Sequence, residues 1–390
     1  MGKVILIRYG EIHLKGQNRP YFERLLINEI KRALLNIKCS VIKGEGRFYV
    51  ENIKEEDILL AVSALKRVFG IHSVSVAVKT DKDMETICTK ALEELKEHIG
   101  KFGGKSFKVF AKRSDKRYPL KSLDIAREVG GYLLENLKDI HVDVVNPQIS
   151  VYVEIRESAY IYTNIEKGAE GMPTGSSGRA VLLLSGGLDS PVAGYMVAKR
   201  GVNLSAVYFH SFPYTGEQVK QKVLSLAQIL SSYLGSIDVH IVSFTKIQTE
   251  IHKKCPEDEI TLIMRRYMMK IAQSIAKNEG AKALVTGESI GQVASQTMES
   301  LSVTDAAVNM CVFRPLIGMD KVEIMDRARQ IGTYDTSILP YEDCCTVFVA
   351  KHPKTRPHLN DILSSEEALD EQALIEEAIS SIETIQVKPV

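Results

Sequence analysis

The stretch LLLSGGLDSPVAGYM, Leu182–Met196, decides the fold of the second half of the chain. It is typical of a buried strand that enters a turn, Ser185–Ser190, and continues into a helix. Gly186 and Gly187 predict positive φ angles in that turn, so that successive N–H groups form a concave nest for phosphate oxygens. Ser190 is suited to capping the helix, whose N-terminal partial positive charge would face the same anion. The turn therefore predicts a phosphate site.

The pattern SGGxDS is more specific than its two glycines alone, which could equally form a structural turn. The whole pattern arises by chance in roughly one of two thousand chains of this length. No Gly-Lys-Ser/Thr follows it, and its spacing is not GxGxxG, so neither a Walker A loop nor a dinucleotide fingerprint is the better interpretation. Asp189 is placed to organise a Mg²⁺ ion or the turn itself.

Short apolar runs continue outward from this stretch toward the C-terminus. From Arg179 the runs AVLLL, LSAVYF, VHIVSF and KALVTG alternate with helical patterns. This alternation predicts βαβ units and a parallel sheet, and ligands of such sheets bind at the carboxyl ends of the strands. The tail from Ser364 to Gln386 predicts one acidic amphipathic helix.

The first half of the chain predicts two smaller modules. A strand over Val4–Arg8, a helix over about Pro20–Leu35 and a strand near Arg47–Val50 form a small α+β unit, and a second α/β module follows it. KGAEGMPTGSSG is rich in Gly, Ser and Pro and is typical of a linker. We predict four segments: an N-terminal domain 1–59, a second domain 60–165, a linker 166–178, and a C-terminal domain 179–390.

Composition excludes several classes of protein. The chain is 45% hydrophobic and 25% charged, which is typical of soluble globular proteins. No run of about 18 apolar residues is present, and the N-terminus lacks a signal peptide, so we expect no membrane partner and a cytoplasmic location. Six cysteines without a CxxC pair predict reduced thiols and no metal-binding cysteine motif.

The net charge of +1 hides an asymmetry along the chain. Residues 1–178 carry 29 Lys and Arg against 24 Asp and Glu, whereas residues 361–390 carry eight acids and one Lys. The segment 105–122 alone holds seven basic residues and one acid, interleaved with Phe107, Phe110 and Tyr118. Basic groups of this kind meet phosphates, and aromatic rings stack on unpaired bases. Phe107 and Phe110 lie on opposite faces of a strand, so at most one should be core.

Three sets of residues together resemble one family. SGGLDS is similar to the loop of the PP-loop ATP pyrophosphatases, and TGESIGQVASQT, Thr286–Thr297, resembles the branch that holds the tRNA sulfurtransferases. RYGEIHLKGQNRPYF, Arg8–Phe22, resembles that family's ferredoxin-like domain, and residues 60–165 resemble its THUMP domain, an RNA-binding module. The resemblance implies a C-terminal parallel-sheet PP-loop domain preceded by an α+β ferredoxin-like domain and an α/β THUMP domain.

The resemblance also implies an activity. ATP would be cleaved between its α and β phosphates to adenylate O4 of uridine 8 in tRNA, and sulfur would then displace AMP to give 4-thiouridine. The implied cofactors are ATP and Mg²⁺, the metal held through Asp189. Lys112, Arg113, Lys116 and Arg117 are the predicted RNA contacts. The predicted ATP-binding residues are Leu183, Leu184, Ser185, Gly186, Gly187, Asp189, Ser190, Tyr208, Phe209, Arg265, Gly287 and Gln296.

The sulfur chemistry is expected near Tyr341–Thr346, which holds Cys344 and Cys345. The family carries a persulfide-forming cysteine here, and its setting matches Cys345 better than Cys344, although the doubled cysteine leaves both open. Basic residues that follow the pair favour a thiolate or persulfide anion. Cys255 is a candidate for a second or resolving thiol.

The chain departs from longer family members, which carry a further rhodanese domain. Sulfur is therefore expected to arrive from a partner such as a cysteine desulfurase, and a thiamine-pathway sulfur carrier protein is a further expected partner. We also expect a homodimer. The alternatives are another PP-loop RNA thiolase, an amidating synthetase, or a non-catalytic RNA-binding protein.

Overall fold

The computed structural model describes residues 2–341 and 353–389. Cys344 and Cys345 lie outside the described residues. The chain divides into two compact units, one ending at Gly171 and the other beginning at Met172. No helix among the described residues is both long enough and apolar enough to cross a membrane.

The first unit contains one mixed sheet with helices on one of its faces. Its helices are α1 (Arg19–Ala33), α2 (Ile58–Leu65), α3 (Met84–Phe102) and α4 (Ser122–Asn136). Its strands are β1 (Lys3–Tyr9), β2 (Ser40–Gly44), β3 (Arg47–Glu51), β4 (Ile71–Thr80), β5 (Ser106–Arg113), β6 (His141–Val142), β7 (Ile149–Ile155), β8 (Ala159–Tyr162) and β9 (Glu166–Lys167).

The strand order in this unit is β2-β3-β1-β4-β8-β7-β5-β6, and β9 pairs with β4. Residues of α3 and α4 form one core with β5, β7 and β8, in which Phe107, Val151 and Leu133 are fully buried. Local signals start two of these helices: Pro20 lies in the first turn of α1, and the Asp83 side chain accepts a hydrogen bond from the Thr86 N–H ahead of α3. The predicted strands and helices of this half are confirmed.

The sheet curls toward its other face, so that side chains from strands that are not neighbours come into contact there. Arg47 Nη1 on β3 lies 2.8 Å from Glu154 Oε2 on β7, although β1, β4 and β8 run between those strands. In a flat sheet this separation would be roughly 19 Å. Tyr49 on β3 likewise stacks on Tyr160 on β8, with ring centroids 5.1 Å apart. A buried layer of charged and aromatic side chains therefore fills the concave face.

The second unit is a parallel sheet with helices on both faces. Its strands are β10 (Arg179–Leu183), β11 (Asn203–His210), β12 (Ile237–Ser243), β13 (Ala283–Val285), β14 (Cys311–Phe313) and β15 (Glu383–Val387). Its helices are α5 (Asp189–Ala198), α6 (Glu217–Leu234), α7 (Thr245–Lys254), α8 (Ile260–Asn278), α9 (Met298–Asp305), α10 (Lys321–Ile331), α11 (Tyr334–Ser337), α12 (Leu359–Glu366) and α13 (Glu371–Ser380).

The strand order in this unit is β14-β13-β10-β11-β12-β15, with every pair parallel except β12 and β15. The chain passes from β10 to β11 and β12 on one side, and then crosses to β13 on the other side. The connection therefore reverses direction beside β10, and ligands of such sheets bind outside the carboxyl ends of the strands at this point. The predicted parallel sheet of the C-terminal half and the α+β character of the first half are confirmed.

The prediction of one helix over Ser364–Gln386 is wrong. Helix α12 ends at Glu366, and α13 begins after Asp370, whose side chain accepts a hydrogen bond from the Ala373 N–H. The last segment then pairs as β15 with β12, because Thr384, Ile385 and Val387 favour extended backbone. The apolar residues of this segment are spaced as in a helix, so their spacing did not predict the final strand.

Candidate active site

The turn between β10 and α5 is closed by hydrogen bonds between its two serines. The Ser185 N–H donates to Ser190 Oγ over 2.9 Å, and the Ser190 hydroxyl donates back to the Ser185 carbonyl oxygen over 3.3 Å. The Gly187 N–H donates to Ser185 Oγ over 3.3 Å. These hydrogen bonds fix the backbone shape of the turn before any anion binds to it.

Two details predicted for this turn are wrong. Neither Gly186 nor Gly187 has a positive φ. Ser190 does not cap α5, because the helix already begins at Asp189 and the Ser190 hydroxyl is bonded to Ser185. The helix N-terminus still follows directly after the glycines, so its partial positive charge lies at the turn.

The segment after β13 packs directly against the start of α5. A Cβ placed on Gly287 would stand 2.6 Å from the Ser190 backbone nitrogen and 2.7 Å from the Asp189 carbonyl carbon. Backbone atoms cannot move aside as the end of a flexible side chain can, so only glycine permits this approach. Gly287 was among the predicted ATP-binding residues, and it lies against the turn.

Asp189 is held by two donors from distant parts of the chain. Gln292 Nε2 donates to Asp189 Oδ2 over 2.8 Å, and Lys321 Nζ donates to Asp189 Oδ1 over 3.2 Å. Lys321 begins α10 directly after Asp320, which forms a capping box with Glu323. Neither donor was predicted, although the Asp-Lys-x-Glu pattern at a helix start is a signal that could have drawn attention to Lys321.

A buried carboxylate holds two arginines beside the same segment. Glu288 forms an ion pair with Arg265, and its other oxygen accepts a hydrogen bond from Arg314 Nε over 2.6 Å. Burial opposes the ionisation of Glu288, but Arg265 and Arg314 outweigh it and lower the pKa of that carboxyl. The predicted Arg265 also donates to the Ser295 carbonyl oxygen over 3.0 Å. It is thus oriented into this cluster by two partners.

The predicted apolar ATP residues are mostly core. Tyr208, Phe209 and Leu184 are buried, and the Phe209 ring packs edge-on against Phe244 at a centroid distance of 5.1 Å. Only their backbone groups could meet a nucleotide at the strand ends. Gln296 is different, because its buried amide oxygen has no hydrogen-bond partner among the described residues. That oxygen is free to accept a bond from a ligand.

The same region offers oxygen atoms to a hard cation. No three His, Cys, Asp or Glu side chains cluster as metal ligands within the described ranges. The carboxylate of Asp189 suits Mg²⁺, which proteins usually hold with one or two carboxylates together with substrate phosphates.

The predicted RNA-binding segment falls on β5 and the loop after it. Lys112 and Lys116 are exposed. Arg113 donates to the Tyr118 and Leu120 carbonyl oxygens, and Arg117 donates to Asp115. The side chains of Lys112 and Lys116, two of the four predicted contacts, are thus open to solvent, whereas the guanidinium of Arg113 stabilises its own loop.

The aromatic residues of β5 divide between the faces as predicted. Phe107 is fully buried beneath the helices, whereas Phe110 is 38% exposed on the opposite face. The Phe110 ring stacks on Tyr152 with centroids 5.2 Å apart, and Lys108 Nζ lies 4.8 Å from the Phe110 centroid. Lys108, Phe110, Lys112 and Tyr152 form a patch that we call the β5 platform.

Cys255 has the environment of a packed thiol. Burial, together with Glu259 and Glu366, raises the pKa of its thiol to about 11. Its Sγ donates to the Ser365 carbonyl oxygen over 3.5 Å. A thiol with so high a pKa is almost fully protonated at neutral pH, which does not favour a nucleophilic role. The predicted Cys344 and Cys345 cannot be compared with it, because they lie beyond the part of the chain that is described.

The second unit is a PP-loop nucleotide-binding domain. Three features define it: the strand order, the SGGxDS turn after β10, and the contact of Gly287, after β13, with that turn. Models of known families match the same regions. The family described as thiamine biosynthesis protein (ThiI) matches residues 175–370, the ThiI ferredoxin-like domain matches 4–75, and the THUMP domain matches 81–164.

Similar proteins span the whole chain. A probable tRNA sulfurtransferase of Acetivibrio thermocellus is 54% identical over 389 residues, with 99% of both chains covered. One of Clostridium acetobutylicum is 49% identical over 389 residues, with 100% of both covered. The chain therefore belongs to the tRNA sulfurtransferase (ThiI) family.

Two solved structures are also similar. A 4-thiouridine synthetase, in an RNA complex with bound ATP, superimposes with a TM-score of 0.91 at 39% identity, covering 99% of this chain and 100% of that chain. PH1313 from Pyrococcus horikoshii superimposes with a TM-score of 0.67 at 29% identity, covering 85% of this chain and 100% of that one.

Proposed function

We propose that this chain is an ATP-dependent tRNA 4-thiouridine synthetase that adenylates O4 of uridine 8 and replaces it with sulfur. The observation that carries the proposal is the crevice between β10 and β13. There a preformed SGGxDS turn, the start of α5 and the clamped carboxylate of Asp189 converge. The solved structure with bound ATP and RNA, similar over 99% of this chain, supports the same activity.

The turn suits the departure of pyrophosphate rather than the transfer of a γ-phosphoryl group. Uracil O4 attacks the α-phosphorus of ATP, and the bond to the bridging oxygen breaks as pyrophosphate leaves. Backbone N–H groups and a helix N-terminus stabilise the charge that develops on this leaving group. Ser185, Gly186, Gly187 and Ser190 are the proposed pyrophosphate contacts. Asp189 would hold a Mg²⁺ ion, which would neutralise part of the pyrophosphate charge.

The rest of the nucleotide would lie over the ends of β10, β11 and β13. Backbone groups near Leu183, Tyr208 and Phe209 are proposed to meet the adenosine part, since their side chains are largely packed. Arg265, Gly287 and the unpartnered amide oxygen of Gln296 complete the proposed ATP site.

Sulfur enters in a second step. The terminal sulfur of a persulfide on Cys345, or on Cys344, attacks C4 of the activated base, and AMP leaves with the original O4. The product is then a disulfide between enzyme and base. A thiol reductant such as dithiothreitol attacks the enzyme sulfur, which releases 4-thiouridine, and the second thiol of the reductant returns the enzyme to its thiol form. A cysteine desulfurase is the proposed source of the persulfide sulfur.

The first unit is proposed to hold the tRNA. The β5 platform combines two lysines with stacked, partly exposed rings, which suits a single-stranded end better than a duplex. Lys116 and Arg117 in the following loop are proposed to meet phosphates. A homodimer and delivery of sulfur to a thiamine-pathway carrier protein are further proposals from the family.

A reconstituted thiolation reaction tests the proposal. Unmodified tRNA, MgATP, a persulfide-generating desulfurase and a thiol reductant are mixed with the protein, and the product nucleosides are analysed. We expect 4-thiouridine with the wild type, none with Asp189→Ala, and strong loss with Cys345→Ser. Cys255→Ser is the matched control and should keep full turnover.

Other outcomes would identify the alternatives. Loss with Cys344→Ser but not with Cys345→Ser would reverse the assignment of the persulfide. A thiolated base other than 4-thiouridine would indicate another RNA thiolase. Tight tRNA binding without any nucleotide turnover would indicate a non-catalytic RNA-binding protein.

A further inference from the structure

The two donors that hold Asp189 differ in how firmly they are themselves held. The side chain of Lys321 is 46% exposed and that of Asp189 is 24% exposed, so their ion pair is near the surface. Pairs of this kind contribute little and exchange readily with other ions. Lys321 is therefore a replaceable partner of Asp189 Oδ1.

Gln292 belongs to a segment with several fixed points. The Gly291 N–H, at a φ of +74°, donates to the Gln296 carbonyl oxygen over 2.9 Å. The Ile290 N–H donates to the Ile317 carbonyl oxygen over 3.2 Å, and Ser289 Oγ donates to the Met319 carbonyl oxygen over 2.8 Å. These last two bonds tie the Gln292 segment to the segment that leads into Lys321.

The orientation of the Gln292 amide follows from its neighbour. A carboxylate only accepts hydrogen bonds, so the amide must present Nε2 to Asp189 and turn Oε1 away. That Oε1 atom is buried and has no hydrogen-bond partner in the described parts of the chain. An unpartnered buried acceptor is destabilising, and such atoms in native structures call for an explanation. A donor supplied by a ligand would satisfy it.

We propose that Gln292 is a positioning residue for Asp189, and that this role rests on the proposed function of Asp189 in cation binding. Gln292 holds Oδ2, so that Oδ1 is the oxygen at which a divalent cation, arriving with the nucleotide, replaces Lys321. Lys321 is thereby released to the phosphates.

Cation binding by the full-length protein tests this role directly. Mn²⁺ binding is measured by electron paramagnetic resonance in the presence of α,β-methylene-ATP, which cannot be cleaved between its α and β phosphates. Gln292→Ala is expected to weaken Mn²⁺ binding about 10-fold, the low end for loss of a residue that orients a metal ligand. Gln330→Ala removes an exposed amide from α10 and should bind Mn²⁺ as the wild type does.

A second variant distinguishes positioning from a general structural role. Gln292→Met keeps the length of the side chain and removes both amide atoms, so Asp189 Oδ2 loses its donor. It should weaken Mn²⁺ binding as Gln292→Ala does, whereas its affinity for α,β-methylene-ATP without metal and its urea unfolding should match those of the wild type. This variant is also the test if Gln292→Ala does not fold.

The results that would contradict the role of Gln292 differ from those that would contradict the proposed function. Wild-type Mn²⁺ binding by Gln292→Ala or by Gln292→Met overturns the role of Gln292 even if the wild type makes 4-thiouridine. If the wild type made no AMP while Gln292→Ala still lost Mn²⁺ affinity, the role of Gln292 would stand and the proposed reaction would fail.

Discussion

Gly287 and Ser190 approach so closely that a Cβ on Gly287 would stand 2.6 Å from the Ser190 backbone nitrogen. The contact joins the segment after β13 to the first turn of α5 across the point where the connection of the sheet reverses. The shape of the Ser185–Ser190 turn therefore depends on a residue about one hundred positions away in the sequence, which local patterns do not couple.

Replacing Gly287 with alanine should displace the turn. The added methyl group meets backbone atoms that cannot yield, so the start of α5 must move, and a displacement of about 1 Å costs on the order of 100-fold in rate. The measurement is tRNA-dependent AMP formation by Gly287→Ala. Gly318→Ala is the control, because a Cβ there meets nothing within 4 Å. Equal activity of the two variants would contradict the packing argument.

Removing the charge of Glu288 should destabilise the second unit. Glu288→Gln leaves Arg265 and Arg314 without their shared buried carboxylate, and breaking a buried ion pair from one side costs on the order of 3 kcal/mol. Urea unfolding should report this loss. The exposed Glu299→Gln should change stability by less than about 0.5 kcal/mol. A Glu288→Gln variant as stable as Glu299→Gln would show that the cluster is not a stabilising one.

Glu154 should make the stability of the first unit depend on acid pH. Burial opposes its ionisation, but Arg47, Tyr162 and Arg8 outweigh burial and lower the pKa to about 2. The unfolded value is about 4.3. A carboxyl whose pKa is lower in the folded state stabilises the fold above the unfolded pKa, and that contribution is lost as pH falls toward the folded pKa.

The corresponding measurement compares Glu154→Gln with the wild type at several pH values. At pH 7 the free energy of unfolding of the variant should be lower than that of the wild type by on the order of 3 kcal/mol. This difference between the two proteins should shrink as the pH falls from about 4.3 to 2. Its exposed neighbour Glu157→Gln should show no such trend. A cost of Glu154→Gln that stayed constant from pH 7 to 2 would contradict the assignment of the shift to Glu154.

Truncating the β5 platform should weaken tRNA binding and leave nucleotide binding alone. Stacking of one base on one ring contributes about 1–3 kcal/mol, so Phe110→Ala should raise the KM for tRNA roughly 10-fold with the KM for ATP unchanged. Phe102→Ala is the control, because Phe102 is 69% exposed on α3, on the opposite, helix-covered face. If both variants had the same KM for tRNA, the platform would not be an RNA contact.

The sequence predicted those parts of the fold that are specified locally. Alternating apolar runs and helical patterns predict the parallel sheet, and the SGGxDS turn lies between a strand and a helix as expected. The division of Phe107 and Phe110 between two faces follows from the two-residue period of a strand. The family resemblance added the order of the domains, which no local pattern contains.

Long-range contacts could not be predicted in this way. Gln292 and Lys321 meet Asp189 across 103 and 132 residues of sequence, and the Arg47–Glu154 pair depends on the curl of the whole first sheet. The prediction of positive φ angles at Gly186 and Gly187 was wrong. Hydrogen bonds between Ser185 and Ser190 close the turn without a residue in the left-handed region. The C-terminal strand was missed because β12 provides its pairing partner.

The products formed from ATP test the central claim most directly. ATP labelled on its α-phosphate is incubated with the purified protein, Mg²⁺ and unmodified tRNA, and the nucleotides are separated. The account predicts labelled AMP and an equal amount of pyrophosphate, formed only when tRNA is present. Formation of ADP and orthophosphate instead would contradict it.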